Sequence, residues 1–90
     1  MNIAAQIQFI PLSSASPMNE VDRAIEVIAQ SGLSYEVGPF GTSVEGNAAQ
    51  IHEIIEKLVQ TSTKTEFLLQ VQYHVGPDRL SNSEKVAKFR

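Results

Sequence analysis

The sequence predicts an α+β sandwich in which two helices cover one face of a four-stranded antiparallel sheet. Segments of alternating apolar residues and segments of helical periodicity follow one another in the order β-α-β-β-α-β. Each helical segment has a single apolar stripe, so both helices are expected on the same face of the sheet. With 90 residues, 42% of them hydrophobic, the chain suffices for one such domain and is too short for two.

The first strand and the first helix are separated by a change of hydrophobic period near Pro11. Residues 3–12 alternate, and Pro11 is expected to end the regular hydrogen bonding of this strand. Ser16 and Pro17 are typical of an N-cap and a first helical residue, and Gly32 is typical of a helix end. The predicted apolar stripe is Met18, Val21, Ala24, Ile25, Ile28 and Ala29, and the predicted polar side is Glu20, Asp22, Arg23 and Glu26.

The second half of the chain repeats the pattern after a hairpin. Residues 34–38 and 40–46 are short alternating segments joined through Gly38 and Pro39, which predicts two paired strands. Asn47 is expected to cap the second helix, whose apolar stripe is Ile51, Ile54, Ile55, Leu58 and Val59. A polar break at 62–64 precedes the last strand at 66–75. This order predicts a ferredoxin-like sandwich with strand order 4-1-3-2.

The sheet face without helices is the first informative surface. The predicted strand order places Gln6 and Gln8 near Gln70 and Gln72 on this face, beside a few apolar residues rather than charges. These apolar residues are Ala4, Ile10 and Leu68. We expect the face to pack against another subunit, because a small domain gains stability by burying it. The alternative is a solvated face that is rich in glutamine.

Charge is distributed unevenly along the chain. The net charge is -3, but residues 79–90 contain four cations and one carboxylate, so they carry 4 - 1 = +3 and residues 1–78 carry 3 - 9 = -6. We therefore divide the chain into a domain at 1–78 and a basic C-terminal tail at 79–90. The tail is expected to be solvated or packed as a cap on the acidic body, and a role in binding RNA or a membrane is the lesser alternative. A net acidic protein is not expected to bind nucleic acid.

Several kinds of site are not expected. The absence of cysteine excludes disulfides and thiolate metal sites. His52, Glu53 and Glu56 lack the second histidine of a zinc protease motif, so a solvated helix face is expected there and no metal or cofactor is predicted. No nucleophile–base pair is evident, so we do not expect an enzyme; weak catalysis by His74 or the carboxylates is a minor alternative. Without a basic leader or a long apolar run, we expect a cytoplasmic protein with no membrane partner.

The hairpin region concentrates polar chemistry. Residues 35–46 contain Tyr35, Glu36, Phe40, Thr42, Ser43 and Glu45 together with three glycines. Carboxylates and hydroxyls can bond an aminopyrimidine or counter a cation, and aromatic rings can stack on either. This composition suits a flat, nitrogen-rich, positively charged small molecule. In the alternative interpretation, the two aromatic residues belong to the core and the two carboxylates face solvent or an interface.

The same residues resemble a known family. The segments 31–33, 35–39, 41–42 and 45–46, preceded by 10–12, are similar to the small thiamine-binding protein family, long an uncharacterised protein family. The similarity covers roughly residues 3–75, and Phe40 replaces the methionine that is common there. The resemblance implies a ferredoxin-like subunit that forms a homodimer or homotetramer through its sheets. It implies a ligand, thiamine or its hydroxymethylpyrimidine moiety, and no reaction.

Site residues carried over by the resemblance are Tyr35, Gly41, Thr42 and Glu45, and Glu36 and Ser13 are added as chemically suitable neighbours. The implied function is non-enzymatic binding that sequesters or delivers the ligand. The alternative is an oligomeric structural or interaction module that has a protein partner and no small-molecule ligand. The acidic body favours an unphosphorylated ligand unless the basic tail folds over the site.

Overall fold

A computed structural model describes residues 1–61 and 65–90, so the predicted break at 62–64 lies outside the described residues. All six predicted elements are present. They are β1 (Asn2–Pro11), α1 (Pro17–Ala29), β2 (Ser34–Val37), β3 (Thr42–Asn47), α2 (Ala48–Thr61) and β4 (Phe67–His74). Two short elements that were not predicted follow, α3 (Asn82–Val86) and a 3-10 helix at Ala87–Phe89.

The four strands form one antiparallel sheet in the order β2-β3-β1-β4, which confirms the predicted order and the ferredoxin-like arrangement. Gln6 pairs with Gln72 and Gln8 pairs with Gln70, so the four amides share a face as expected. The opposite face of the central strands carries Ile3, Ala5 and Ile7 in β1 and Val44 in β3, all of them buried. These side chains pack against Ile28 of α1 and Ile51, Ile54 and Leu58 of α2.

Helix α1 departs from the predicted pattern at its first turn. Met18, predicted in the apolar stripe, is 68% exposed, whereas Glu20, predicted on the polar side, is buried. Thr65, just before β4, donates a hydrogen bond of 2.7 Å to Glu20 Oε1, whereas Oε2 is buried without a hydrogen-bond partner among residues 1–61 and 65–90. Ser16 occupies the N-cap position without a side-chain cap bond. Gly32 has a φ of +79°, the left-handed conformation expected just beyond a helix.

Helix α2 follows the prediction closely. Asn47 caps it, accepting a hydrogen bond of 2.9 Å from the Ala49 amide. Glu53 and Lys57 form an i,i+4 ion pair on the exposed side, with 3.2 Å between the charged atoms. Val59, predicted in the apolar stripe, is instead 55% exposed. No helix within 1–61 or 65–90 has the length and apolar character needed to cross a membrane.

Residues 79–90 fold back onto the sheet face without helices. Arg79 pairs with Glu45 of β3, and α3 contacts the same strand. Ala4 pairs across the sheet with Glu45 and His74, so it lies on this face, yet only 3% of it is exposed. One end of the face is therefore covered by the chain's own C-terminal segment rather than left fully open.

Candidate ligand-binding site

A cavity of about 490 Å³ lies between the face without helices and the C-terminal segment, and we call it the C-terminal cavity. Its volume is within the range of ~300–1,000 Å³ that is usual for small-molecule sites. The sheet wall includes Ala4, Gln6, Ser34, Glu36, Ser43, Gln72 and His74. The C-terminal wall includes Asn82, Ser83, Lys85, Val86 and Arg90. The cavity thus combines amides, hydroxyls, an imidazole and charges of both signs.

Strand alternation assembles the sheet wall. Directly paired residues of antiparallel strands share a face, and Ser34 pairs with Glu45 while Glu36 pairs with Ser43. Ser43 in turn pairs with Gln6, which pairs with Gln72. Polar residues at alternate positions of four strands therefore form a continuous polar surface. Each strand supplies two or three of these residues.

A buried ion pair attaches the C-terminal wall to the sheet. Arg79 Nη1 lies 2.6 Å from Glu45 Oε2, and the two side chains are only 7% and 17% exposed. The Asn82 amide adds contacts of 3.3 Å to both carboxylate oxygens of Glu45. Charged hydrogen bonds of this kind are strong when they are shielded from water. Glu45 consequently holds Arg79 and the first residue of α3, Asn82, against strand β3.

A capping box then organises α3. The Ser81 hydroxyl accepts a bond of 3.1 Å from the Glu84 amide, and the Glu84 carboxylate accepts one of 2.8 Å from the Ser81 amide. The bonds from the backbone and side chain of Ser81 lower the pKa of Glu84 below the ordinary value of 4.5. They satisfy amides at the start of a helix that has only five residues. The cap therefore helps to set the position of Lys85, one residue further along.

Glu36 is the one carboxylate that lines the cavity among the described residues, and Arg90 pairs with it. More than half of each side chain is exposed, at 57% for Arg90 and 54% for Glu36. Ion pairs this exposed contribute only ~0–1 kcal/mol. A ligand that bonds the carboxylate can therefore displace Arg90 at little cost.

The predicted site residues occupy different surroundings. Glu36 lines the cavity, and Tyr35 adjoins it, but Tyr35 pairs with the buried Val44, so its ring belongs to the helix side of the sheet. Thr42 also lies on the helix side and is buried. Glu45 is engaged by Arg79 behind the cavity wall.

The two remaining predicted residues lie away from the cavity lining. Gly41 is in the β2–β3 turn, where an added Cβ would come within 3.0 Å of the Ile7 carbonyl oxygen. Ser13 is exposed in the loop after β1. The structure thus brings Tyr35 and Glu36 to the cavity and places the other four predicted residues outside its lining.

The aromatic residues of the hairpin are not core residues. Tyr35 is 43% exposed and Phe40, in the turn, is 79% exposed. This differs from the alternative interpretation in which both rings are buried. The edge strand β2 is only four residues long, and the helices do not extend over the turn to cover these rings.

Several cavity residues were not among the predicted site residues. Gln6, Gln72 and His74 could have been found by following which alternate positions share a face with Glu36. The residues of α3 could not, because no periodicity in residues 79–90 indicates which sheet face they cover. No group of three or more His, Asp or Glu residues suited to a metal occurs in the part of the chain that the structure describes.

Comparison with known families gives a match over nearly the whole chain. The family model described as "Thiamine-binding protein" matches residues 5–90, and so includes the C-terminal segment. A curated UPF0045 protein of Clostridium perfringens is 30% identical over 90 residues, covering 93% of each chain.

Solved structures are also similar. A crystal structure from Thermotoga maritima, of a protein provisionally assigned to thiamine biosynthesis or salvage, has a TM-score of 0.90 and 30% identity and covers 100% of both chains. A domain of unknown function from Bacillus cereus has a TM-score of 0.87 and 27% identity, covering 100% of this chain and 91% of the other.

Proposed function

Because the chain belongs to the thiamine-binding protein family, we propose that it is a non-enzymatic protein that binds thiamine or its hydroxymethylpyrimidine moiety for sequestration or delivery. The observation that carries the proposal is the family match over residues 5–90, which spans every residue of the C-terminal cavity except Ala4. We assign the ligand to this cavity.

The cavity lining suits an aminopyrimidine. The exocyclic amine is a donor and the ring nitrogens are acceptors, so the ring needs acceptors and donors side by side. Glu36 accepts hydrogen bonds, while Gln6 and Gln72 can each donate and accept. The positive thiazolium of thiamine also gains from a carboxylate nearby. Glu36 is therefore the residue that we expect to contribute most to binding.

Ligand-linked stability tests the proposal. Melting of the purified chain is measured with millimolar thiamine, with hydroxymethylpyrimidine and with an unrelated cationic heterocycle. A ligand that binds only the folded state, at a concentration of 100 times its Kd, adds ~2.7 kcal/mol to the free energy of unfolding. For a domain of this size this raises Tm by about 10 °C or more. A selective rise with the first two is expected. No rise with either would favour the interaction module with a protein partner.

Substitution of Glu36 localises the site. Glu36→Gln keeps the shape of the side chain and removes its charge, so we expect at least tenfold weaker binding of thiamine with little change in Tm. The matched control is Glu56→Gln, which makes the same charge change on an exposed position of α2. Equal affinity of the two variants, measured by calorimetry, would exclude Glu36 from the site.

We also propose that the chain forms a homo-oligomer through the part of the open face that does not line the cavity. Gln8, Ile10, Leu68 and Gln70 pair with one another there, across β1 and β4. Leu68 is 48% exposed, and neighbouring amides can pair across an interface. This patch can combine apolar contact with hydrogen bonding, toward the Pro11–Phe67 end of the β1–β4 strand pair.

A further inference from the structure

We propose that the C-terminal cavity contains a phosphate subsite formed by Lys85 and Arg90, so that the preferred ligand is a monophosphate ester of the pyrimidine-containing molecule. This inference rests on the proposed function and names the class of ligand for the same site. Lys85 and Arg90 lie on the C-terminal wall, and Glu36 and Gln6 lie on the sheet wall. A ligand with a heterocycle at one end and an anion at the other can contact both walls.

The cations of the C-terminal segment divide into two roles. Arg79 is buried against Glu45 and attaches the segment to the sheet. Lys88 lies 5.1 Å from the centre of the Phe89 ring and does not line the cavity. Lys85 and Arg90 do line it. Two of the four cations of this segment therefore line the cavity and two do not. A basic tail that was solvated along its whole length would not show this division.

The charge of the cavity lining is opposite to that of the whole chain. The acidic and basic side chains of the lining, Lys85, Arg90 and Glu36, sum to a formal 2 - 1 = +1, whereas the formal side-chain charge of the chain is -3. Arg90 is matched by Glu36, while Lys85 has no carboxylate within ion-pair distance among residues 1–61 and 65–90. A local positive lining on an acidic protein attracts anions to this cavity and not to the surface in general.

Exchange of partners explains how both ends of such a ligand can be bound. A phosphate monoester carries a charge of ~-1.5 to -2 at neutral pH and offers several strong acceptor oxygens. The guanidinium of Arg90 can bond two of these oxygens at once and Lys85 can neutralise the remaining charge. When Arg90 turns to the phosphate, Glu36 is released to accept the amine of the pyrimidine.

Titration calorimetry of the full chain at low salt, with thiamine and with thiamine monophosphate, tests the subsite. We expect the monophosphate to bind about tenfold more tightly than thiamine. In Lys85→Gln this preference should largely disappear, so that the ratio of the Kd values of thiamine and the ester approaches one. Arg90→Gln should likewise reduce the ratio of ester affinity to thiamine affinity. Both side chains are exposed, so the Tm of each variant should remain near that of the unmodified chain.

The matched control is Lys88→Gln, which makes the same charge change in the same segment outside the cavity. Equal loss of ester binding in Lys85→Gln and Lys88→Gln would show a general charge effect and overturn the subsite. If thiamine binds but the ester binds equally or more weakly, the subsite is wrong and the proposed function stands. If neither thiamine, hydroxymethylpyrimidine nor the ester binds, the proposed function fails, and this inference fails with it.

Discussion

At the scale of single residues, Glu45 is a carboxylate that the family resemblance implies as a ligand contact. In the structure it instead pairs with Arg79 of the C-terminal segment. Its oxygens accept hydrogen bonds from Arg79 Nη1 at 2.6 Å and from the Asn82 amide at 3.3 Å. In this arrangement Glu45 is a positioning residue for the wall that carries Lys85 and Arg90. Glu36, nine residues earlier on the neighbouring strand, is the carboxylate that faces the cavity.

We expect Glu45→Gln to destabilise the protein by about 2 kcal/mol, because it leaves the guanidinium of Arg79, 7% exposed, without its counter-charge. Urea unfolding in the absence of ligand measures the effect. The double variant Glu45→Gln with Arg79→Met removes both charges. Its free energy of unfolding should fall by less than the sum of the decreases in the two single variants. Simple additivity of the two changes would contradict an energetic link between these side chains.

At the scale of secondary structure, α3 is too short to be stable by its own propensity. Five residues form little more than one turn, and isolated helices below ~12–15 residues are marginal in water. Its position depends on the capping box of Ser81 and Glu84 and on the attachment of Arg79 to β3. The long helices α1 and α2 depend instead on their apolar faces, which pack into the core.

The capping box predicts a pH dependence of the C-terminal segment. The pKa of Glu84 is lowered in the folded state, so the contribution of the cap is fully present above the ordinary value of 4.5 and is lost as the pH falls through the lowered folded-state pKa. NMR titration of the Glu84 side chain should therefore give a pKa below that of an unstructured glutamate.

The control for this titration is Ser81→Ala, which removes the hydroxyl that accepts from the Glu84 amide. The pKa of Glu84 should rise toward its ordinary value in this variant, and the amides of α3 should exchange faster. An unchanged Glu84 pKa in Ser81→Ala would mean that its hydroxyl does not contribute to the shift.

At the scale of the whole molecule, the two faces of the sheet are covered in different ways. One face is closed by α1 and α2 over an apolar core. The other is covered at one end by residues 79–90, and its remaining part carries Gln8, Ile10, Leu68 and Gln70. We therefore expect ligand binding and self-association to use adjoining parts of the same face.

Leu68→Lys tests the association. The substitution places a charge in the exposed patch, so it should shift the protein from a dimer or tetramer toward a monomer, as measured by light scattering after size-exclusion chromatography. Val59→Lys is the control, because Val59 is similarly exposed, at 55%, on the outer side of α2. A monomeric unmodified chain, or equal behaviour of the two variants, would exclude this patch as the interface.

The strands and the two long helices could be predicted from sequence because they depend on local periodicity, and the strand order followed from the β-α-β-β-α-β order of these elements. Alternation of residues 3–12 and the stripe through Ile51, Ile54 and Leu58 identify which side of each element faces the core. At Glu20, which the pattern placed on the polar side of α1, a distant contact accompanies the departure from the pattern. Glu20 is buried where Thr65, 45 residues away in the sequence, donates a hydrogen bond to one of its carboxylate oxygens.

The sequence by itself determined the ferredoxin-like fold, the glutamine pairs on one face and the membership of a ligand-binding family. Only the tertiary structure decided that residues 79–90 close a cavity on that face and that Glu45 holds them there. The physical reason is that periodicity reports one face of a continuous element, whereas a short basic segment has no period and is placed by long-range pairs such as Arg79–Glu45. The cavity therefore exists only once the chain has folded.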